Sequence, residues 1–288
     1  MIDLSTKKRI VVKVGTSTLT YPTGKFNLRR VESLIKVLSD LKNSGREIVF
    51  VTSGAVAAGR AVAGCFSSAN TANTANTANG GATFPEKQAF AAIGQSELMD
   101  IYRQEFSKYN HKIAQILMTR DVISNSERKD NVTNTLSTLL SWEVVPIINA
   151  NDSVSIEQLD FDENDTLSAI AAKLCGADML VILTDVDGLY DKNPAAHSDA
   201  KLLPLVRKIT YDMVASAKDK GSEMSKGGMV TKLEAATLAL EDDIDTVIIN
   251  GENPENLYGL LSAENGVSSA PPCTIFTNQA HQTVGVEI

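Results

Sequence analysis

Short β-branched apolar runs alternate in this chain with longer segments whose apolar residues recur at helical spacing, and no other feature limits the fold as much. The series opens with "RIVVKV", where Ile10, Val11, Val12 and Val14 make a strand apolar to both sides, as in a sheet covered on both faces. Leu28, Val31, Leu34, Ile35, Leu38 and Leu41 then follow helical spacing, and Asn43-Ser44-Gly45 ends the helix. Next come a strand over 47–51, a helix over 86–109, a strand over 112–118 and a helix over 131–142. A strand over 144–149, a helix over 165–176 and a strand over 178–185 follow. The helix "GMVTKLEAATLALEDD" and "DTVIIN" (245–250), the last strong strand, complete the series. This rhythm predicts an α/β fold, a three-layer αβα sandwich with a central, mostly parallel twisted sheet.

At 288 residues the chain has room for one large α/β domain or two smaller ones. Its net charge of −8 argues against nonspecific binding to nucleic acid or to an anionic membrane. No apolar run is long enough to span a bilayer, and "MIDLSTKKR" lacks the apolar stretch of a secretory signal. Cys65, Cys175 and Cys273 have neither metal-like nor redox spacing, which fits reduced thiols in a cytosol-like compartment. The Asn-x-Ser/Thr sequons at Asn131, Asn151 and Asn164 are then chance matches. One segment departs from the pattern: "SSANTANTANTANGG" (67–81) has no apolar side chain larger than Ala. It cannot offset its ordering entropy and is expected to be a disordered surface loop.

The residues just past each strand share a character. Lys13-Val14-Gly15-Thr16-Ser17 follows the first strand, where a Gly-Thr-Ser turn is expected, and Thr52-Ser53-Gly54-Ala55 the second. Asn149-Ala150-Asn151-Asp152, Thr184-Asp185-Val186-Asp187-Gly188 and Asn250-Gly251 stand at three more strand ends. In a parallel sheet all of these fall on the carboxyl edge, where ligands bind. Small hydroxyls and glycines there build a floor of backbone N–H groups suited to an anion. Each segment alone reads as an ordinary turn; five at one edge are read as a site.

There is no G-x-x-x-x-G-K-[ST] loop and no G-x-G-x-x-G after a strand, so the usual nucleotide signatures are absent. "KGGMVTK" (226–232) does place Gly227 and Gly228 at a helix start with Lys232 one turn in, a weak phosphate signal by itself. His111, His197 and His281 have no evident nucleophile or metal partner, so hydrolytic triads and His-rich metal centres fit poorly.

Seven segments, "VVKVGTSTLT", "VTSGAVAAGR", "AAIGQSELM", "INANDSVS", "DENDTLSAIAA", "LTDVDGLY" and "KGGMVTKLEAA", occur in the order and spacing of one family. From about Arg9 to Phe276 the chain resembles the glutamate 5-kinases of the amino acid kinase family. The resemblance implies the amino acid kinase fold over 1–278, with a glutamate-binding lobe to about 175, a nucleotide-binding lobe beyond it, and a tail over 279–288. It implies that Lys13 and Lys232 stabilise the transferring phosphoryl group and that Asp165 orients both. By the same resemblance Ser53, Gly54, Asn149, Asp152 and Asn164 hold glutamate. Lys13, Gly15, Thr184, Asp185, Lys226, Gly227, Gly228, Met229 and Lys232 are the implied nucleotide set.

The implied partners are L-glutamate and ATP, with Mg²⁺ carried mainly by ATP rather than by a protein metal site. Proline is implied as a feedback inhibitor, with a loop over 152–165 closing over the shared pocket. A cytoplasmic homo-oligomer, dimer or tetramer, is implied, with no nucleic-acid or membrane partner. The chain departs from the family in four ways. It ends without the PUA module of many bacterial relatives, and it carries the Thr-Ala-Asn insertion. It reads Glu163-Asn164-Asp165-Thr166 where Asp-Asn-Asp-Asn is frequent, and it has Lys226 where Thr is common. Two rivals stand beside this reading. One is another kinase of the fold, acting on acetylglutamate, aspartate, carbamate or UMP. The other is a non-catalytic binding or storage protein, against which the joint presence of Lys13, Asp165 and Lys232 argues.

Overall fold

Period-two alternation along the first strand decides which side chains meet which layer. The computed structural model describes residues 3–21, 25–67, 82–154, 163–194, 196–218, 228–262 and 271–278. The stretch expected as a loop lies outside these residues apart from Ser67, which ends a helix; Lys226, Gly227 and the tail also lie outside. In β1 (Arg9–Val14), Ile10, Val12 and Val14 enter one apolar cluster and Val11 enters another. Lys13 therefore shares the face of Val11.

The chain continues through α1 (Thr16–Leu19), α2 (Leu28–Asn43), β2 (Glu47–Val51), α3 (Ala55–Ser67), α4 (Phe84–Ser107) and β3 (Ile113–Met118). A 3₁₀ turn (Arg120–Ser124) leads to α5 (Ser126–Ser141), β4 (Val145–Ala150), α6 (Glu163–Cys175) and β5 (Met179–Thr184). Then come β6 (Leu205–Val206), α7 (Tyr211–Lys218), α8 (Met229–Leu240), β7 (Asp245–Asn250), α9 (Asn256–Leu261) and β8 (Cys273–Phe276). One eight-stranded sheet runs in the order β3-β4-β2-β1-β5-β7-β8-β6. Its pairings are parallel except β7 with β8. The expected α/β architecture and mostly parallel sheet are thus present.

Helices cover both faces. Leu34 and Leu38 of α2, Leu98 and Tyr102 of α4 and Leu257 of α9 pack in the cluster of Ile10 and Val12. Leu136 of α5, Leu167 and Ala171 of α6 and Leu233 and Ala236 of α8 pack with Val11, Val49 and Val51 on the other face. Burying a Leu or Val side chain of this kind contributes about 1.5–3 kcal/mol.

Several local details refine the reading from sequence. The expected Gly-Thr-Ser turn is a single helical turn, α1. Helix α5 begins five residues before the expected start, where Asn125 accepts from the Arg128 N–H as its cap. Helix α4 starts on a reciprocal capping box between Thr83 and Glu86. Helices α3 and α4 touch backbone to backbone: a Cβ on Gly59 would lie 1.8 Å from the Phe90 carbonyl oxygen, and one on Gly94 would lie 1.9 Å from that of Ala55. Only glycine permits such an approach.

Candidate active site

Strand order reverses beside β1, since β2 lies on one side and β5 on the other, and a crevice opens at the carboxyl end of such a switch point. Lys13, the last residue but one of β1, turns toward the layer of α6 and α8. Its Nζ lies 2.7 Å from Oδ1 of Asp165, in the first turn of α6. The other oxygen, Oδ2, lies 3.2 Å from Nζ of Lys232, in the first turn of α8. Lys13 is 1 % exposed, Asp165 0 % and Lys232 6 %. Burial works against the Asp165 carboxylate, but the Lys13 and Lys232 ammonium groups outweigh it and hold its pKa below the ordinary value. At Gly15 a Cβ would sit 3.5 Å from the Lys13 ammonium, so glycine leaves the space over that charge open.

The residue before Asp165 serves a second group. Asn164 Nδ2 donates to Ser53 Oγ at 3.0 Å, and its Oδ1 accepts from the Ala150 N–H at 3.2 Å. Asn149 Oδ1 accepts from that N–H too, and Asn149 Nδ2 donates to Gln95 Oε1 at 2.8 Å. Gly54 holds the turn after Ser53 at φ +96°, a conformation that favours glycine. Beside this network a cavity of about 230 Å³ is lined by Gln95, Gln115, Asn151, Asp152 and Ser153, with Ala55 and Ala150 among its apolar walls. In the core, Thr52 Oγ1 and the Tyr102 hydroxyl are 2.6 Å apart, and burial pushes the Tyr102 pKa up.

The structure therefore brings the sequence-predicted residues into two groups. Lys13, Asp165 and Lys232 form one; in the other, Ser53, Asn149 and Asn164 are joined through the hydrogen bonds around the Ala150 N–H, Gly54 follows Ser53 in sequence, and Asp152 is the one of the five that lines the neighbouring cavity. Adjacent residues of α6 tie them together. Thr184 and Asp185 stand at the end of β5, where Thr184 Oγ1 donates to Asp185 Oδ1 at 3.1 Å. Gly228 caps α8 and Met229 is its first residue, partly buried against the core.

Two residues in the site were not singled out from sequence. Gln95 sits in "AAIGQSELM", and only the helix packing at Gly94 shows that it reaches Asn149. Thr231, next to Lys232, donates to Asp165 Oδ2 at 2.7 Å and also lies 3.0 Å from the Gly228 carbonyl oxygen. Nothing in "KGGMVTK" distinguishes that threonine from a solvated one. Cys175 and Cys273 are buried, and burial raises their thiols to about 12 and about 11, which keeps them protonated and unreactive at neutral pH.

The family model for the amino acid kinase family matches residues 8–250. Over 266 residues the chain is 46 % identical to a protein of Clostridium perfringens named glutamate 5-kinase, covering 91 % of this chain and 94 % of that one. A glutamate 5-kinase of Enterococcus faecalis is 42 % identical with the same coverage. Among solved structures, isopentenyl phosphate kinase of T. acidophilum superposes with a TM-score of 0.59 at 16 % identity, covering 93 % of this chain and 100 % of that one. UMP kinase of Bacillus anthracis gives the same TM-score and identity, with 95 % and 97 % covered. These two likenesses concern the fold alone. The sequence matches go further: the chain belongs to the amino acid kinase family, and within it is similar to the glutamate 5-kinases.

Proposed function

We propose that this protein transfers the γ-phosphoryl group of ATP to the γ-carboxylate of L-glutamate, giving L-glutamyl 5-phosphate, the first step of proline synthesis. The observation that carries this reading is the pair of buried lysines sharing Asp165 beside a polar cavity that includes Asp152. The similarity to two proteins named glutamate 5-kinase supports the choice of substrate.

The reaction joins two anions. A γ-carboxylate has a reference pKa of about 4.3 and is ionised at neutral pH, so the nucleophile needs no general base. What must be supplied is positive potential where charge gathers on the phosphoryl oxygens. In this reading Lys13 and Lys232 supply it from opposite sides of Asp165, which holds both ammonium groups in place. The N-termini of α6 and α8 lie at the same rim and add their dipoles.

Asp152 pairs with the α-ammonium of glutamate, while Ser53, Asn149 and Asn164 orient the rest through the network around the Ala150 N–H. Gly54 offers backbone to the substrate. Thr184, Asp185, Gly15 and the segment from Lys226 to Met229 hold the nucleotide. The half up to about 175 is the glutamate side and 176–278 the nucleotide side. Among the described residues no three His, Cys, Asp or Glu side chains come together. The donors that converge are ammonium and N–H groups, which do not fit a resident cation, so Mg²⁺ belongs to the nucleotide in this reading.

Proline carries the α-amino and α-carboxylate groups of glutamate without a γ-carboxylate. We take it as an inhibitor sharing Asp152 and Asn164. The loop proposed to close over that pocket falls largely on residues 155–162, outside those described. The same reading places the protein in the cytoplasm as a homo-oligomer.

The test is ATP turnover with L-glutamate, N-acetylglutamate, aspartate, carbamate and UMP in parallel, with hydroxylamine to trap an acyl phosphate as the hydroxamate. Turnover and hydroxamate with glutamate above the others are expected. Faster turnover of another acceptor, or none at all, rejects the assignment. Millimolar proline should raise the apparent glutamate KM, and inhibition that excess glutamate cannot relieve would remove the shared pocket.

A further inference from the structure

Asp165 Oδ2 receives two donors of different kinds. The Thr231 hydroxyl lies 2.7 Å away, while the Lys232 ammonium is farther, at 3.2 Å. Both come from the first turn of α8, and the carboxylate they meet is completely buried. The hydroxyl has one proton and two acceptors within reach, the carboxylate and the Gly228 carbonyl oxygen. The carboxylate is both nearer and charged, so it takes the proton.

From this geometry we infer that Thr231 is a positioning residue: its hydroxyl fixes the Asp165 carboxylate in the orientation that holds the Lys13 and Lys232 ammonium groups for the phosphoryl transfer. The inference rests on the phosphotransfer reading above and concerns how the carboxylate is oriented. A buried carboxylate oxygen that loses a donor incurs a desolvation penalty. Without the hydroxyl, the nearer of these two contacts on Oδ2 is lost and the Lys232 ammonium is left with the carboxylate less firmly oriented. The threonine contact is made from the same helical turn as the lysine, so one element sets both the carboxylate and the ammonium. Because the hydroxyl is neutral, it holds the carboxylate without competing for the anionic substrates. The role is exerted through Asp165 and Lys232, with no contact to either substrate, so it belongs in kcat rather than in the binding of glutamate.

The experiment compares Thr231→Ser with Thr231→Ala. Both lose the methyl group, so any packing contribution cancels and only the hydroxyl differs. Thr231→Val, which keeps the shape without the hydroxyl, is the third variant. Wild-type turnover with ATP and glutamate is measured first, followed by kcat, both KM values and thermal melting of each variant. The expected result is a kcat about tenfold lower in Thr231→Ala than in Thr231→Ser, with glutamate KM within about twofold. Thr231→Val should behave as Thr231→Ala. Equal kcat in the Ser and Ala variants overturns the inference even if Thr231→Val does not fold. A loss that appears in the glutamate KM instead of kcat also overturns it. An inactive wild type would reject the phosphotransfer reading and this inference with it, whereas an active wild type with unaffected variants rejects the inference alone.

Discussion

Lys13 is the residue most legible in the sequence, because a lysine among Ile10, Val11, Val12 and Val14 contradicts the burial of its own strand. Alternation assigns it a face, but the partner on that face, Asp165 of α6, cannot be read from spacing and is reached only through the family resemblance. That partner makes Asp165 the most sensitive position in the site. Asp165→Asn leaves two buried ammonium groups without their shared carboxylate, and loss of one member of a buried pair costs about 3–5 kcal/mol. The folded carboxyl titrates below its unfolded value. Its contribution is therefore full above the unfolded pKa, about 3.9, and is lost as pH falls through the folded one. The melting-temperature gap between wild type and Asp165→Asn should stay constant from neutral pH down to about pH 4 and narrow only below it. A gap that narrows already around neutrality would mean that another group sets the stability. Lys13→Met and Lys232→Met should each lower kcat by about 10²-fold or more if these ammonium groups meet charge in the transition state. Steady-state kinetics on folded variants check this, and near-normal turnover in either would remove that lysine from the chemistry.

At the scale of elements, α3 shows why parts of the site stayed hidden. "AVAAGRAVAGCFS" is built mostly of Ala, Gly and Val, with few large apolar side chains to mark helical spacing, and its helix was not read from sequence. Small residues serve a different purpose there, since α3 packs against α4 by backbone contact at Gly59 and Gly94. That contact lays Gln95 against Asn149 and forms one wall of the cavity through Ala55 and Ala91. Gly94→Ala puts a methyl 1.9 Å from the Ala55 carbonyl oxygen and 2.4 Å from the Gly59 nitrogen, so one helix must move. Overpacking of this kind costs about 1–3 kcal/mol. The displaced wall should raise the glutamate KM and leave the ATP KM nearly unchanged. Calorimetry and kinetics together test this; equal rises in both KM values would show a disturbance reaching beyond the cavity.

At the scale of the whole molecule, strands β1 to β5 and β7 were readable because each is an apolar run of five or six residues followed by small polar residues or a turn. The antiparallel strand β8 was not, since "CTIF" offers only four residues after two prolines, and β6 has only two. What no strand reveals by itself is that β1 pairs with both halves, with β2 on one flank and β5 on the other over five residue pairs each. If the chain divides into a glutamate side and a nucleotide side as proposed, β1 joins the two through both of its edges. Ligand binding stabilises whatever unit unfolds with it. If ATP binds beside β5 as proposed, it should then slow amide hydrogen exchange in β4 as much as in β7, although β4 lies on the far side of β1. Protection confined to β5 and β7 would show two units where the sheet implies one. If the sheet unfolds as one unit, either substrate alone would defend the described strands on both sides of β1 against proteolysis, so ATP would protect this protein even where glutamate is scarce.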